Sequence, residues 1–137
     1  MSDSTVITSD RTSRGTGVAT IALWSTQLLL AAMFLFSGGS KLAGAAAMVA
    51  LFDAIGIGQW FRHVTGSIEV ASAVALLVPA LAPFGAVALV ATMSGAVAAH
   101  LFVVGGSPAV PGVLLLGALA VAWARRDQLA RALARPR

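Results

Sequence analysis

The chain has no cysteine and very little charge. Without a thiol it can form no disulfide, thiol relay, iron–sulfur cluster or covalently attached c-type haem. Charged residues make up 10% of the 137 and apolar residues 58%, where soluble domains carry roughly 25% and 45–50%. So little polar surface cannot cover a water-facing exterior. Zinc-type ligand spacing is also missing, and the two histidines, His63 and His100, have no matching pattern on facing helices that would suit a haem.

What is present is a set of long apolar runs. VATIALWSTQLLLAAMFLF, residues 18–36, approaches the ~20 residues that cross a bilayer. It is longer than a secretory signal core and no A-x-A site closes it. It therefore reads as a first span, ended by the glycine break SGGSKL. Span two runs from about Val64 to Leu81 and closes in the tight turn PALAP. Span three is FGAVALVATMSGAVAAHLFVV. Span four begins near Val110, with Pro111 tolerable in its first turn, and ends at Trp123. Between spans one and two, Met48, Leu51, Phe52 and Ile55 fall at i, i+3, i+4 and i+7 before Gly56 and Gly58. That spacing predicts a short interfacial helix.

The predicted fold is all-α: a four-transmembrane-helix bundle with that short interfacial helix between spans one and two. Residues 1–17, rich in Ser, Thr and Gly, read as a disordered cytoplasmic tail. Residues 18–124 form the membrane domain, and residues 125–137 a basic cytoplasmic helix or tail extending the last span. No tandem repeat or second domain is visible. The basic residues crowd at the two ends, a distribution of topology rather than of nucleic-acid binding. Two arginines precede span one and five follow span four, which places both termini on the cytoplasmic side of a bacterial inner membrane. Trp24 and Trp123 would then anchor the inner interface and Trp60 the outer one.

Ionisable residues inside such runs need partners. Glu69 lies about 8 Å into span two and His100 about 6 Å from the end of span three, at 1.5 Å per residue. Antiparallel spans put them at one level, with Lys41 within snorkelling reach and Asp53 and Arg62 able to close over the top. Lys41, Glu69 and His100 are the candidate site. The competing reading is a polar lock that only holds helices in register. Small residues repeat every four positions as Ser67, Ala71 and Ala75 on span two and Ala91, Gly95 and Ala99 on span three. Together with Gly66 they are expected to let helix backbones approach closely. The C-terminal arginines are expected to set topology and touch anionic lipid.

The combination SGGSKLAG, then MVALFDAIGIGQWFRHVTGSIEVASAVALLVP, then AAHLFVVGGSP resembles the DoxX-like family of small four-span bacterial membrane proteins, from about Trp24 to Trp123. The family's lysine after span one, Gly-x-x-Glu in span two and late histidine in span three correspond to Lys41, Gly66 with Glu69, and His100. The resemblance implies an accessory subunit of a membrane redox or oxidative-stress system, not an enzyme in its own right, with a quinone held beside Glu69 and His100. Its expected partners are the lipid bilayer and another membrane or peripheral redox protein. Two alternatives stand beside this reading. One is a small proton-coupled carrier titrating at Glu69, which the lack of an inverted repeat disfavours. The other is a non-catalytic partner that assembles or stabilises another membrane protein.

Overall fold

The computed structural model describes residues 4–135, and the side chains of residues 14–135. The chain order is α1 (Ser4–Ala43), α2 (Ala46–Ile55), α3 (Gln59–Leu77), α4 (Ala82–Ala99), continued by a π-helical segment (His100–Val104), α5 (Ala109–Ala124) and α6 (Arg126–Leu133). No strand occurs among the described residues.

Each long helix turns one stripe inward. On α1 the stripe is Gln27, Leu30, Ala31, Phe34, Gly38 and Lys41, at the spacing of three and four that keeps residues on one helical face. Its middle is apolar and its two ends are polar. On α3 the stripe is Arg62, Gly66, Glu69, Ala73 and Leu76, and on α4 it is Ala82, Gly85, Ala86, Leu89 and Met93. Leu30, Phe34, Leu76, Leu89, Ala118 and Val121 belong to a single core. Helix α1 packs most extensively on α3, α3 on α4, and α4 on α5; a lighter α1–α5 contact completes the arrangement.

Backbone proximity explains the tightest contact. A Cβ on Gly38 would lie 2.8 Å from the Gly66 carbonyl oxygen and 2.8 Å from Val70 Cγ2. One on Gly66 would lie 3.0 Å from Lys41 Cβ. The two glycines therefore let α1 and α3 meet with no side chain between them. Gly85 does the same for α3 and α4, where a Cβ would meet the Ser72 carbonyl at 2.8 Å.

The expected interfacial helix is α2. Its Phe52 is buried, and Gly56, at φ 79°, caps it by donating to the Phe52 carbonyl. Several other expectations are corrected. Glycines 38 and 39 do not break α1, which runs on to Ala43, because Gly38 serves the α3 contact and Gly44, at φ 73°, follows the helix end. The helix also begins at Ser4 and not near Val18, so most of the segment expected to be a disordered tail is helical. Residues 14–20 of it are exposed and continue an already nucleated helix, which costs little. Helix α3 starts five residues before the expected Val64 and ends at Leu77. The last span does not extend straight: Arg125 leaves helical geometry and α6 is bent by 60° from α5.

The small-residue stripes are corrected in part. Ser67, Ala71, Ala91 and Gly95 are exposed, and a Cβ on Gly95 would meet nothing within 4 Å. Of that set Gly66 meets α1 closely and Ala75 meets α4 at Gly85. The contact faces are the neighbouring ones, through Gly66 and Gly85.

Two stretches, Arg14–Ala43 and Ala82–Val104, are long and apolar enough to cross a bilayer. The bent pair of α5 and α6 makes a third if taken as one span. Helix α3 is less apolar, carrying Gln59, Arg62, His63 and Glu69.

Candidate functional site

The polar end of the α1 stripe meets the polar end of the α3 stripe. Lys41 Nζ lies 2.9 Å from Glu69 Oε2 and donates also to Ser37 Oγ at 2.7 Å. The glutamate is 1% exposed and the lysine side chain 11%. Such a pair is held where each charge has the other and further hydrogen bonds complete it. No buried side-chain nitrogen or oxygen among the described residues lacks a partner.

Arg62, in the first turns of α3, is buried too and donates through NH1 to the Lys41 carbonyl at the end of α1. That carbonyl lies in the last turn of α1 and also accepts, at 3.3 Å, from the Gly44 N–H that follows the helix. Its Nε donates to Gln59 Oε1 at 2.6 Å, and Gln59 Nε2 donates to Asp53 Oδ1 at 2.7 Å and to the Val49 carbonyl at 2.9 Å. Asp53 thus reaches Arg62 through Gln59 and ties α2 over the start of α3. The Phe52 and Phe61 rings meet edge to face at 5.9 Å beneath this chain of bonds. His63 Nε2 accepts from Arg62 NH2 at 3.2 Å.

His100 is not hydrogen-bonded into this cluster, although the π-helical segment it opens contacts α2. It is half-buried, and its Nδ1 donates to the Ala96 carbonyl of its own helix at 2.9 Å. No hydrogen bond joins it to Lys41 or Glu69. The structure therefore brings together Lys41, Glu69, Arg62 and, through Gln59, Asp53; it leaves His100 outside. Gln59 is a cluster member that sequence reasoning missed, although its position between an interfacial acid and an arginine was visible.

A second polar cluster lies at the other end of the same α1 stripe. Gln27 is fully buried and donates to the Leu76 carbonyl at 2.7 Å. Its Oε1 accepts from Arg125 Nε at 2.7 Å. Arg125 also donates to Gln128 Oε1 at 2.9 Å and lies 5.6 Å from the Trp24 ring. Trp123 is 70% exposed and carries Arg126 over its face at 4.5 Å. Trp24 and Trp123 therefore share one end of the molecule, and the 61% exposed Trp60 sits at the other, beside the start of α3.

Two open cavities accompany these clusters. One, of about 350 Å³, is lined by Ala80, Gln128, Arg131, Ala132 and Arg135. The other, of about 300 Å³, is apolar and lies between α1 and α5, lined by Met33, Val110, Val113 and neighbours. Neither is lined by Lys41, Glu69 or His100. No group of three His, Asp or Glu among the described residues is placed to hold a metal ion. The fourteen-residue step from Gln27 to Lys41 separates the two polar clusters by about 21 Å along α1, at 1.5 Å per residue.

Compared with known proteins, residues 25–123 match the model of one family, described as DoxX-like. No curated protein and no solved structure matches the chain.

Proposed function

Because the chain belongs to the DoxX-like family, a family of membrane proteins, we propose that it is an accessory, non-catalytic subunit of a membrane redox or oxidative-stress system. In this reading α1, α3, α4 and α5 all cross the bacterial cytoplasmic membrane. Helix α3 suits that role because Arg62 and Glu69 face inward while Val64, Ile68, Val74 and Leu77 are exposed. A mean over its sequence counts the inward charges as though they met lipid. Both termini lie on the cytoplasmic side, since the arginines of α6 and Arg14 lie beyond one end of the spans, whereas Lys41 and Arg62 at the other are buried.

The observation that carries the non-catalytic reading is the Lys41–Glu69 pair. It is buried, internally satisfied and wedged between two helices packed backbone to backbone. A carboxylate so engaged holds helices together and has no open approach for a substrate. The test separates scaffold from chemistry. A K41M/E69M double variant replaces both charges with apolar side chains of similar size, which is often neutral or stabilising for a buried pair. It is expected to accumulate in membranes and co-purify with the same partner as the wild type. Normal abundance with loss of the partner, or of its redox activity, would show that the charges themselves are needed.

A second reading, a quinone held at His100, has one observation in its favour. The imidazole opens a π-helical segment, a geometry frequent at functional sites, and its Nε2 has no partner among the described residues. Quinone titration of purified protein beside E69Q and H100A checks it. Equal affinity in all three removes both side chains from any such site.

A further inference from the structure

We propose that Arg131 of α6 and Arg135, just past its C-terminus, hold the phosphate of an anionic phospholipid against the α3–α4 turn at Ala80. The inference uses only the membrane setting of the chain and not its accessory role.

The cavity at this end is walled by two guanidinium groups and one carboxamide, with no acid among its lining residues. The side-chain nitrogens left unused on that wall are all donors. Gln128 has its Oε1 taken by Arg125 NH1 and offers its NH₂ group. Arg131 uses Nε on the Asp127 carbonyl, at 3.1 Å, and keeps its two terminal nitrogens. Arg135 has no partner among the described residues. A ligand here must accept several hydrogen bonds and carry negative charge. The planar fork of arginine fits the oxygens of a phosphate. Between residues 125 and 135 the sequence has four arginines and one aspartate, so the local field is positive as well.

The setting selects a lipid as the source of that phosphate. The bend at Arg125 lays α6 across the end of the bundle instead of projecting it. Exposed Trp123, with Arg126 over its ring, belongs at headgroup level. Leu133 is 72% exposed on the helix that walls the cavity. An acyl chain would cover that leucine; a free phosphate would not.

The experiment uses the full chain in phosphatidylcholine nanodiscs with and without phosphatidylglycerol, counting lipid retained on the protein by native mass spectrometry. The wild type is expected to retain phosphatidylglycerol in preference to phosphatidylcholine. R131Q/R135Q is expected to bind it about 30-fold more weakly, from the contribution of each basic residue near an anionic surface. R131K/R135K keeps the charge but loses the fork and should fall between them. R14Q removes a charge without touching the cavity and should bind as the wild type does. Equal loss in R14Q and in the double variant would reduce the effect to diffuse charge and overturn the site. So would unchanged retention in R131Q/R135Q, or displacement of the lipid by inorganic phosphate at matched concentration. Should R131Q/R135Q misfold, R131K/R135K decides: retention equal to the wild type refutes the fork, and weakened retention supports it.

Discussion

The two ends of α1 meet the same difficulty and resolve it in opposite ways. At the Lys41 end, cations and acids balance: Lys41 and Arg62 against Glu69 and Asp53, linked by an ion pair and by Gln59. At the Gln27 end there is no acid in the cluster. Buried Arg125 is received by two carboxamide oxygens and by the face of Trp24. A neutral acceptor satisfies the guanidinium's geometry without cancelling its charge. The first end can therefore be enclosed by protein, whereas the second keeps a net positive field that must be answered from outside, by water or by phosphate groups. The contrast gives the molecule a polarity that its apolar middle does not reveal.

The comparison is broken most directly by E69Q. It leaves the Lys41 ammonium buried without a counter-ion and should destabilise by about 3–5 kcal/mol, seen as a lower thermal midpoint in detergent and lower abundance in membranes. A loss below half that would mean that the ends do not differ as described. Q27L attacks the other end, stranding Arg125 Nε, and should cost about 1–3 kcal/mol in the same unfolding measurement. A cost exceeding that of E69Q would invert the ranking. G38A probes the backbone contact beneath the ion pair. Overpacking costs of about 1–3 kcal/mol apply there, whereas G39A, with nothing within 4 Å of its new methyl, should be neutral or slightly stabilising. Equal effects from the two alanines would argue against the close α1–α3 approach. The smallest effect belongs to W24L, which removes one ring from Arg125 and should cost about 0.5–1 kcal/mol.

Much of this was legible in the sequence because membranes penalise exceptions. Glu69 is the one acid inside a predicted span, and the need for a counter-charge led to Lys41 without any coordinates. The spacing of Met48, Leu51, Phe52 and Ile55 likewise announced α2. His100 was misjudged for a definable reason. Counting residues from a helix end gives depth but not direction around the axis, and two groups at one level can face different neighbours. The small-residue pattern held only in part, at Gly66 and Ala75. Spacing of four selects a face, but alanine is so common here that several faces qualify, and only the close approach at Gly38, Gly66 and Gly85 distinguishes the packed ones. Arg125 looked like a marker of topology. That it folds back onto Gln27, far away in sequence, follows from the bend after Ala124, which no local pattern encoded.

The bond from Arg62 to the Lys41 carbonyl joins residues only 21 positions apart, and the largest interface in the molecule, α1 on α3, lies within the same early segment. Contacts between near neighbours in the chain form fastest because little loop entropy stands in their way. The residues up to Leu77 thus contain a complete hairpin, ion pair included, that can close before α4 and α5 have left the ribosome. Synthesis is then expected to set the order of assembly, with the later helices docking onto a finished platform. Nascent chains arrested once Leu81 has cleared the ribosome should already shield the α1–α3 region from protease, and digestion there as rapid as in an E69Q chain would rule that order out.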